Sequence, residues 1–232
     1  MQAVILAGGL GKRLAPLTQS LPKPLVHVYN KPILKWQIEW LSSFGIRDYI
    51  LTTGYLKEKI AEYAGKLNEE LGVSILLSEE NEPLGTAGAL KNAQKLVDGD
   101  QFLMLNGDII TNIDISRVAD MKGKELVKMV LVPFRSPFGI VETVGETVTA
   151  FREKPLIKDH WINGGIYSMK REIFDYVPEK GDLEKTTFVK LVAERRVAGV
   201  KIEDAYWHSI DSIKDAEEVS KALEAGELNK KG

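Results

Sequence analysis

Short apolar runs alternate with amphipathic stretches along the first half of the chain, and this alternation predicts strands separated by helices. The predicted strands are residues 3–6, 49–51, 74–77 and 102–105, and the predicted helices are residues 33–44, 57–71 and 86–96. Strands that are joined by helices run parallel with right-handed crossovers. The pattern therefore predicts an α/β fold with a Rossmann-like, mostly parallel sheet and a ligand cleft at the carboxyl ends of its strands.

The second half of the chain is richer in predicted strands. Residues 126–132, 138–144 and 148–151 lie too close together for crossover helices, so they predict an antiparallel hairpin or meander added to the sheet. Later segments predict strands at 164–169 and 200–202 and helices at 186–194 and 212–223. We expect a single domain over residues 1–224, followed by a polar tail over residues 225–232.

Composition narrows the functional classes. The 232 residues are 44% apolar and 28% charged, with a formal net charge of −2, which disfavours a general nucleic-acid binder. The absence of cysteine excludes thiolate catalysis and cysteine-ligated metals. No apolar run approaches the roughly 18 residues of a membrane span, and the N-terminal pattern is not that of a secretory signal. We expect a cytoplasmic protein that acts on small molecules. Its oligomeric state is left open, and a homo-oligomer is one of the alternatives.

A glycine-rich segment follows the first predicted strand. Gly8, Gly9 and Gly11 leave bare backbone N–H groups that can approach an anion, while Arg13 and Lys23 add positive charge for phosphate oxygens. The glycines alone also fit a tight turn or a dinucleotide-binding fold. They do not match G-x-G-x-x-G, because Arg13 stands where its last glycine would fall, and they lack the spacing of the G-x-x-x-x-G-K-[ST] phosphate loop.

The string AGGLGKRLAPLT, with PKPL after it, closely resembles the signature of the sugar-1-phosphate nucleotidylyltransferases. Four further motifs resemble elements of the same family in the same order: LGTAGA at residues 84–89, NGD at 106–108, EKP at 153–155 and NGGIY at 163–167. The resemblance implies the nucleotide-diphospho-sugar transferase fold. It also implies transfer of a nucleoside monophosphate from a nucleoside triphosphate to a sugar 1-phosphate, with Mg²⁺ as the cofactor.

The resemblance also implies roles for individual residues. Arg13, Lys23 and Asp108 would be catalytic, and Asp108 with Asp211 would hold the metal. Gly139, Glu153, Lys154 and Asn163 would bind the sugar phosphate. The nucleotide would be bound by Leu6, Ala7, Gly8, Gly9, Gly11, Lys12, Arg13, Lys23, Gly85, Thr86 and Gly88.

Several of these roles have a plain alternative. Asp108 could be an ordinary turn residue, although its position after a strand suits a Mg²⁺ ligand. Thr86 could serve as the N-cap of a helix, and the two flanking glycines would then leave room for a flat base. Glu153 and Lys154 could be a solvated charge pair.

The end of the chain departs from the family pattern. Many members carry an aspartate two residues after a tryptophan, but here Ser209 occupies that place after Trp207. Asp211 lies two residues further on and would face the same side of an extended strand. We expect Asp211 to supply the missing carboxylate, the alternative being that it caps the helix that begins near Ser212.

The expected reaction uses GTP and mannose 1-phosphate. Alternatives are thymidylyl or uridylyl transfer to glucose 1-phosphate, cytidylyl transfer to a phosphorylated alcohol such as phosphocholine, and an inactive regulatory subunit that binds nucleotide sugars. A nicotinamide-dependent oxidoreductase is disfavoured by the mismatch to G-x-G-x-x-G.

Overall fold

The computed structural model describes residues 1–229, whose strands and helices follow the predicted alternation closely. The strands are β1 (Gln2–Leu6), β2 (His27–Val28), β3 (Lys31–Pro32), β4 (Asp48–Thr53), β5 (Ser74–Glu79), β6 (Gln101–Asn106), β7 (Ile109–Thr111), β8 (Val127–Arg135), β9 (Ile140–Val144), β10 (Thr147–Arg152), β11 (Leu156–Lys170), β12 (Val197–Lys201) and β13 (Trp207–Ser209). The α-helices are α1 (Ile33–Ser43), α2 (Lys57–Leu71), α3 (Gly85–Asn92), α4 (Ser116–Ala119), α5 (Thr187–Ala193) and α6 (Ile213–Glu224).

The central sheet has seven strands in the order β12-β8-β11-β6-β1-β4-β5. Strand β11 runs antiparallel to both of its neighbours, whereas the other neighbouring pairs are parallel. The prediction of a mostly parallel sheet is confirmed. Strands β9 and β10 form a separate antiparallel hairpin, but β8 joins the large sheet because β11 and β12 pair with its two edges.

The alternation of side chains along each strand divides the core between the two faces of the sheet. In β1, Ala3 and Ile5 belong to one buried cluster, while Val4 belongs to another. Helices α1 and α2 cover the first face, and α3 and α5 cover the second. Burial on both faces explains why these strands are almost continuously apolar.

A third, smaller cluster docks the end of the chain against its beginning. Val219 and Leu223 of α6 are buried together with Leu14 and Val26, which lie in the long connection after β1. Strand β13 pairs antiparallel with the short strand β7, and the Ile210 N–H donates to the carbonyl oxygen of Asp108 at 2.8 Å. These contacts bring the segment before α6 to the carboxyl end of β6.

Helix α6 begins with a capping box. The Ser212 side chain accepts a hydrogen bond from the Asp215 N–H at 3.2 Å, and the Asp215 carboxylate accepts from the Ser212 N–H at 2.7 Å. The alternative in which Asp211 caps this helix is therefore wrong. Because Ser212 is the N-cap, the carboxylate of Asp211 is available for other contacts.

The end of the chain and its relation to membranes can be described for residues 1–229. Residues 227–229 form a 3₁₀ turn, and the Asn112 side chain donates to the carbonyl oxygen of Leu228 at 2.9 Å. Residues 230–232 of the predicted tail lie outside the described residues, so its boundary stays a prediction. Among the helices described, each is too short or too polar to span a lipid bilayer.

We expect Ser212→Ala to lower the free energy of unfolding by about 1 kcal/mol, because the first turn of α6 loses a side-chain acceptor. Urea denaturation measures the change. The matched control is Glu217→Ala on the exposed face of the same helix, which should change stability by less than about 0.5 kcal/mol. Equal stability of the two variants would contradict the capping role.

Candidate active site

A cavity of about 740 Å³ opens at the carboxyl ends of four neighbouring strands. Its walls come from the segments that follow β1, β4, β5 and β6, with Asp182 and Asp211 added from later in the chain. This is where a mostly parallel sheet is expected to bind ligands. The predicted residues that line it are Leu6, Ala7, Gly8, Gly9, Gly11, Lys12, Arg13, Lys23, Gly85, Thr86, Asp108 and Asp211.

The segment after β1 lines the cavity with consecutive backbone N–H groups that can donate hydrogen bonds. Within residues 1–229, the N–H groups of Gly8, Gly9, Leu10 and Gly11 have no hydrogen-bond acceptor. Gly11 adopts φ +59°, and its carbonyl oxygen accepts hydrogen bonds from the Leu14 N–H and the Thr18 hydroxyl. Successive free N–H groups in a turn form a concave site for anions.

Two prolines hold Lys23 in place beside this segment. Residues Lys23–Leu25 form a 3₁₀ turn that is preceded by Pro22 in an extended conformation. Pro24 and Leu25 are buried, which anchors the turn in the core while the lysine side chain projects into the cavity. Because proline fixes its own φ, the backbone on both sides of Lys23 is restricted.

The ammonium of Lys23 lies between two carboxylates. Its Nζ is 2.7 Å from Oδ2 of Asp108 and 3.0 Å from Oδ1 of Asp211. Nη2 of Arg13 lies 2.8 Å from the same Oδ1 of Asp211. Only 15% of the Lys23 side chain is exposed, whereas 75% of the Arg13 side chain is, so the arginine has far more freedom to move. We call these four residues the charged cluster.

Backbone contacts position the two aspartates of the charged cluster at the cavity. A Cβ on Gly107 would lie 2.2 Å from the carbonyl oxygen of Leu6, so only glycine lets the chain after β6 pass the end of β1. Asp108 follows directly. The antiparallel pairing of β13 with β7 brings Asp211, which follows β13, to the same place. The structure thus places Asp211 next to Asp108, as the sequence predicted; that they share a metal stays a prediction.

The segment at the start of α3 is held by a loop from later in the chain. A Cβ on Gly85 would lie 2.4 Å from the carbonyl oxygen of Gly181, and one on Gly88 would lie 2.5 Å from that of Glu179. Both glycines therefore have a packing reason that the sequence did not reveal. Gly88 is buried and does not line the cavity, so its contact with a nucleotide stays a prediction.

Thr86 is not the N-cap of this helix. Leu84 precedes the helix as its N-cap, and Thr86 is the second residue of the helix. Its hydroxyl accepts from the Leu183 N–H at 2.9 Å and donates to the Glu184 carboxylate at 3.0 Å. The capping prediction failed because the loop at residues 179–184 supplies partners that local sequence cannot show.

The residues predicted to bind a sugar phosphate lie outside this cavity. Gly139 and Glu153 are neighbours, since a Cβ on Gly139 would lie 3.1 Å from Oε2 of Glu153. Lys154 is exposed and adopts φ +43° at the turn between β10 and β11.

The Asn163 side chain donates to the Tyr167 hydroxyl and accepts from the Gly165 N–H. Burial raises the pKa of Tyr167 above its usual range, which keeps this hydroxyl protonated. The sugar-phosphate roles stay predictions.

Sequence reasoning missed several residues of the cavity wall. Glu80 and Glu82 follow β5 much as Asp108 follows β6, and this shared position after a strand is the signal that could have found them. Thr52 and Asn106 also line the cavity, and each has a buried side-chain oxygen without a hydrogen-bond partner among the described residues. Asp182 had no local signal, because the loop that carries it comes from far along the chain.

Comparison with known proteins agrees with this architecture. The family profile described as nucleotidyl transferase matches residues 2–226. Mannose-1-phosphate guanyltransferase of Kluyveromyces lactis is 36% identical over 226 residues, and the enzyme of that name from Saccharomyces cerevisiae is 35% identical over 226 residues. Each alignment covers 93% of this chain and 62% of the relative, so the chain spans less than two thirds of these relatives.

Solved structures of the same fold cover nearly the whole chain. The structure of HddC from Yersinia pseudotuberculosis in complex with GMP-PN is 27% identical, with a TM-score of 0.75, and the match covers 96% of this chain and 99% of that one. The inositol-1-phosphate CTP transferase of T. maritima is 20% identical with a TM-score of 0.74, over 97% and 96% of the two chains. The predicted fold class is confirmed.

We expect Gly11→Ala to lower the free energy of unfolding by about 1–2 kcal/mol. Its backbone has a positive φ, and the added Cβ would lie 2.9 Å from Cγ2 of Thr18 and 3.1 Å from Cβ of Lys23. Gly9→Ala is the matched control, because a Cβ there meets nothing within 4 Å and the backbone is not left-handed. Chemical denaturation of both variants is the measurement, and equal losses would rule out the strained turn.

Proposed function

Because the chain belongs to the nucleotidyl transferase family, we propose that it transfers a nucleoside monophosphate from a nucleoside triphosphate to a sugar 1-phosphate, releasing pyrophosphate. The observation that carries this proposal is the charged cluster beside the free N–H groups of residues 8–11, within one cavity. A phosphate chain needs this combination of backbone donors and cations. A subunit that had lost catalysis would be expected to have lost part of the cluster as well.

We propose GTP and mannose 1-phosphate as the substrates. The curated relatives that are about 35% identical are mannose-1-phosphate guanyltransferases, and the similarly folded HddC was solved with GMP-PN. The chain corresponds to 62% of those relatives, so the activity of the whole relative is transferred here only as a proposal. A cytoplasmic location also stays a prediction.

The reaction needs no general base among the side chains. A phosphate monoester with a second pKa near 6 is mostly dianionic at pH 7, so the sugar phosphate oxygen can attack the α-phosphate directly. Catalysis then consists of positioning the reactants in line and neutralising the charge that develops on the phosphates. Lys23 is assigned to the α-phosphate and Arg13 to the leaving pyrophosphate, with Glu153 and Lys154 assigned to the sugar phosphate.

The residues of the charged cluster fit a divalent cation. Asp108 and Asp211 aim carboxylate oxygens at one point, and the ammonium of Lys23 stands there as a cation held by both. Carboxylate oxygens are preferred ligands of Mg²⁺. We propose that these two aspartates hold Mg²⁺, which when bound supplies charge neutralisation at the nucleotide phosphates.

The direct test is pyrophosphate release from a matrix of GTP, ATP, UTP, dTTP and CTP against mannose 1-phosphate, glucose 1-phosphate and phosphocholine, each with and without Mg²⁺. We expect release with GTP and mannose 1-phosphate. Lys23→Ala should lower that turnover by at least about 10²-fold while the protein stays folded. Release with another pair alone would overturn the substrates, and no release with any pair would overturn the activity.

We expect Asp211→Asn and Asp108→Asn each to lower turnover by at least about 10-fold and to raise the Mg²⁺ concentration that gives half-maximal rate. Asparagine retains an oxygen ligand but brings no negative charge for a divalent ion. Since Ser212 caps α6, a lost helix cap cannot account for the Asp211 result.

Turnover against Mg²⁺ concentration is the measurement for both variants. Asp204→Asn is the control, because this aspartate pairs with Arg117 on the exposed surface and should leave the Mg²⁺ dependence unchanged. Wild-type behaviour of Asp211→Asn at low Mg²⁺ would remove Asp211 from the metal site.

A further inference from the structure

Three side chains of helix α1 donate hydrogen bonds to backbone carbonyl groups of other segments. The indole of Trp36 donates to the carbonyl oxygen of Val28 at 3.1 Å, and the indole of Trp40 donates to that of Ile113 at 3.0 Å. Gln37 is the third donor. Because the three residues are spaced one, three and four apart, they lie on one side of the helix.

Gln37 joins the two peptide groups that lie on either side of Gly107 and Asp108. Its Nε2 donates to the carbonyl oxygen of Asn106 at 2.8 Å and to the carbonyl oxygen of Ile109 at 3.1 Å. Since both neighbours are acceptors, the nitrogen of the side-chain amide, and not its oxygen, must face them. Only 1% of this side chain is exposed, so bulk water has little access to the two bonds.

The amide of Gln37 is costly to bury. Its Oε1 is buried and has no hydrogen-bond partner among the residues that the structure describes. A buried acceptor without a donor costs free energy, whereas an apolar side chain of similar size would fill the same space without that cost. What this glutamine contributes is therefore its pair of donated bonds, and both of them go to the segment that carries Asp108.

Two backbone hydrogen bonds restrain the same segment from other directions. The Gly107 N–H donates to the carbonyl oxygen of Leu6 at 3.0 Å, and the carbonyl oxygen of Asp108 accepts from the Ile210 N–H at 2.8 Å. The glutamine adds a side-chain restraint on the peptide groups before and after this pair. Because the Cα–Cβ direction of Asp108 is fixed by its backbone, these restraints determine where its carboxylate can reach.

We propose that Gln37 is a positioning residue for Asp108, which holds the backbone on both sides of this aspartate so that its carboxylate stays beside Lys23 at the metal site. This inference rests on the proposed function, which supplies the metal and the nucleotide. Gln37 does not line the cavity, so it acts through the backbone of Asp108 and not by contact with a ligand. Removal of a residue that orients a metal ligand typically lowers metal affinity or activity by about 10-fold to 100-fold.

The first test uses the protein without metal or nucleotide. Gln37→Met keeps the length of the side chain but removes the donor, so the Gly107 N–H should exchange with deuterium at least about 5-fold faster relative to the Ala7 N–H. These two groups donate to the carbonyl oxygens of Leu6 and Thr52, both at the ends of central strands. A general loss of stability would accelerate both exchanges alike. An unchanged ratio by NMR would overturn the proposal.

The matched control is Trp40→Phe. It removes a donor from the same side of α1 to the same connection, but the bond that is lost goes to Ile113, five residues after Asp108. The ratio of exchange rates and the Mg²⁺ dependence should both stay as in the wild-type protein. An equal effect of Trp40→Phe and Gln37→Met would mean that α1 supports the connection as a whole, and it would overturn the specific role of Gln37.

The second test uses pyrophosphate release from GTP and mannose 1-phosphate. Gln37→Met should lower kcat by about 10-fold and raise the Mg²⁺ concentration that gives half-maximal rate, while the KM for mannose 1-phosphate changes by less than about 2-fold. In the background of Asp108→Asn, the same substitution should have little further effect, because the group through which it acts is already impaired. Effects that multiply in full in the double variant would overturn the proposal.

A measurement on the wild-type protein decides if Gln37→Met does not fold. The side-chain amide protons of Gln37 should exchange with solvent at least about 10-fold more slowly than those of Gln19, which is exposed, and equal rates would overturn the proposal. Failure of the wild-type protein to release pyrophosphate would overturn the proposed function. The exchange measurements need no reaction, so they would still decide whether Gln37 holds the backbone around Asp108.

Discussion

The ammonium of Lys23 joins three parts of the chain that are far apart in sequence. It follows the glycine segment after β1, and it binds one aspartate from the end of β6 and another from the segment before α6. Each of those parts has backbone or apolar contacts of its own, and among the described residues Lys23 is the cation that contacts both aspartates. Their common point is one cation of which 15% of the side chain is exposed, so the geometry of the cavity depends on this set of ion pairs.

The balance of formal charges in the charged cluster determines which ligands can bind beside it. Two cations and two carboxylates form the charged cluster, which carries no net formal charge. An anion can engage Lys23 only in competition with two carboxylates, and a cation can engage those carboxylates only in competition with Lys23. A ligand that brings both charges together avoids this competition, and a nucleotide with its divalent counterion is such a ligand.

Much of the fold could be predicted because its strands are short apolar runs that are buried on both faces. The bounds of α2 were predicted to the residue, and the mostly parallel sheet followed from the helices between strands. Strand β8 was misplaced because apolar character does not say which edge a strand pairs with. At the site, strand alternation predicted the approach of Asp211 to Asp108, although β13 ends at Ser209 and Asp211 lies in the segment that follows it.

What sequence could not reveal depends on contacts between distant segments. The hydroxyl of Thr86 does not cap α3, because it forms hydrogen bonds with residues 183 and 184. Gly88 is required for close packing, because the backbone of Glu179 lies against it. Glu80 can be found by its position after β5, but the sequence does not show that its carboxylate has no cation beside it among the described residues. Such absences of partners are properties of the folded molecule, and local patterns do not record them.

The docking of α6 against the beginning of the chain also sets the order in which the site can form during synthesis. Asp211 lies 198 residues after Arg13 and 188 after Lys23, so both cations leave the ribosome long before this partner exists. Asp108 follows Lys23 by 85 residues, so it becomes available to the lysine well before Asp211 does. Since domains begin to fold from the N-terminal side as they emerge, the nascent cavity is cationic first and is neutralised only when α6 docks.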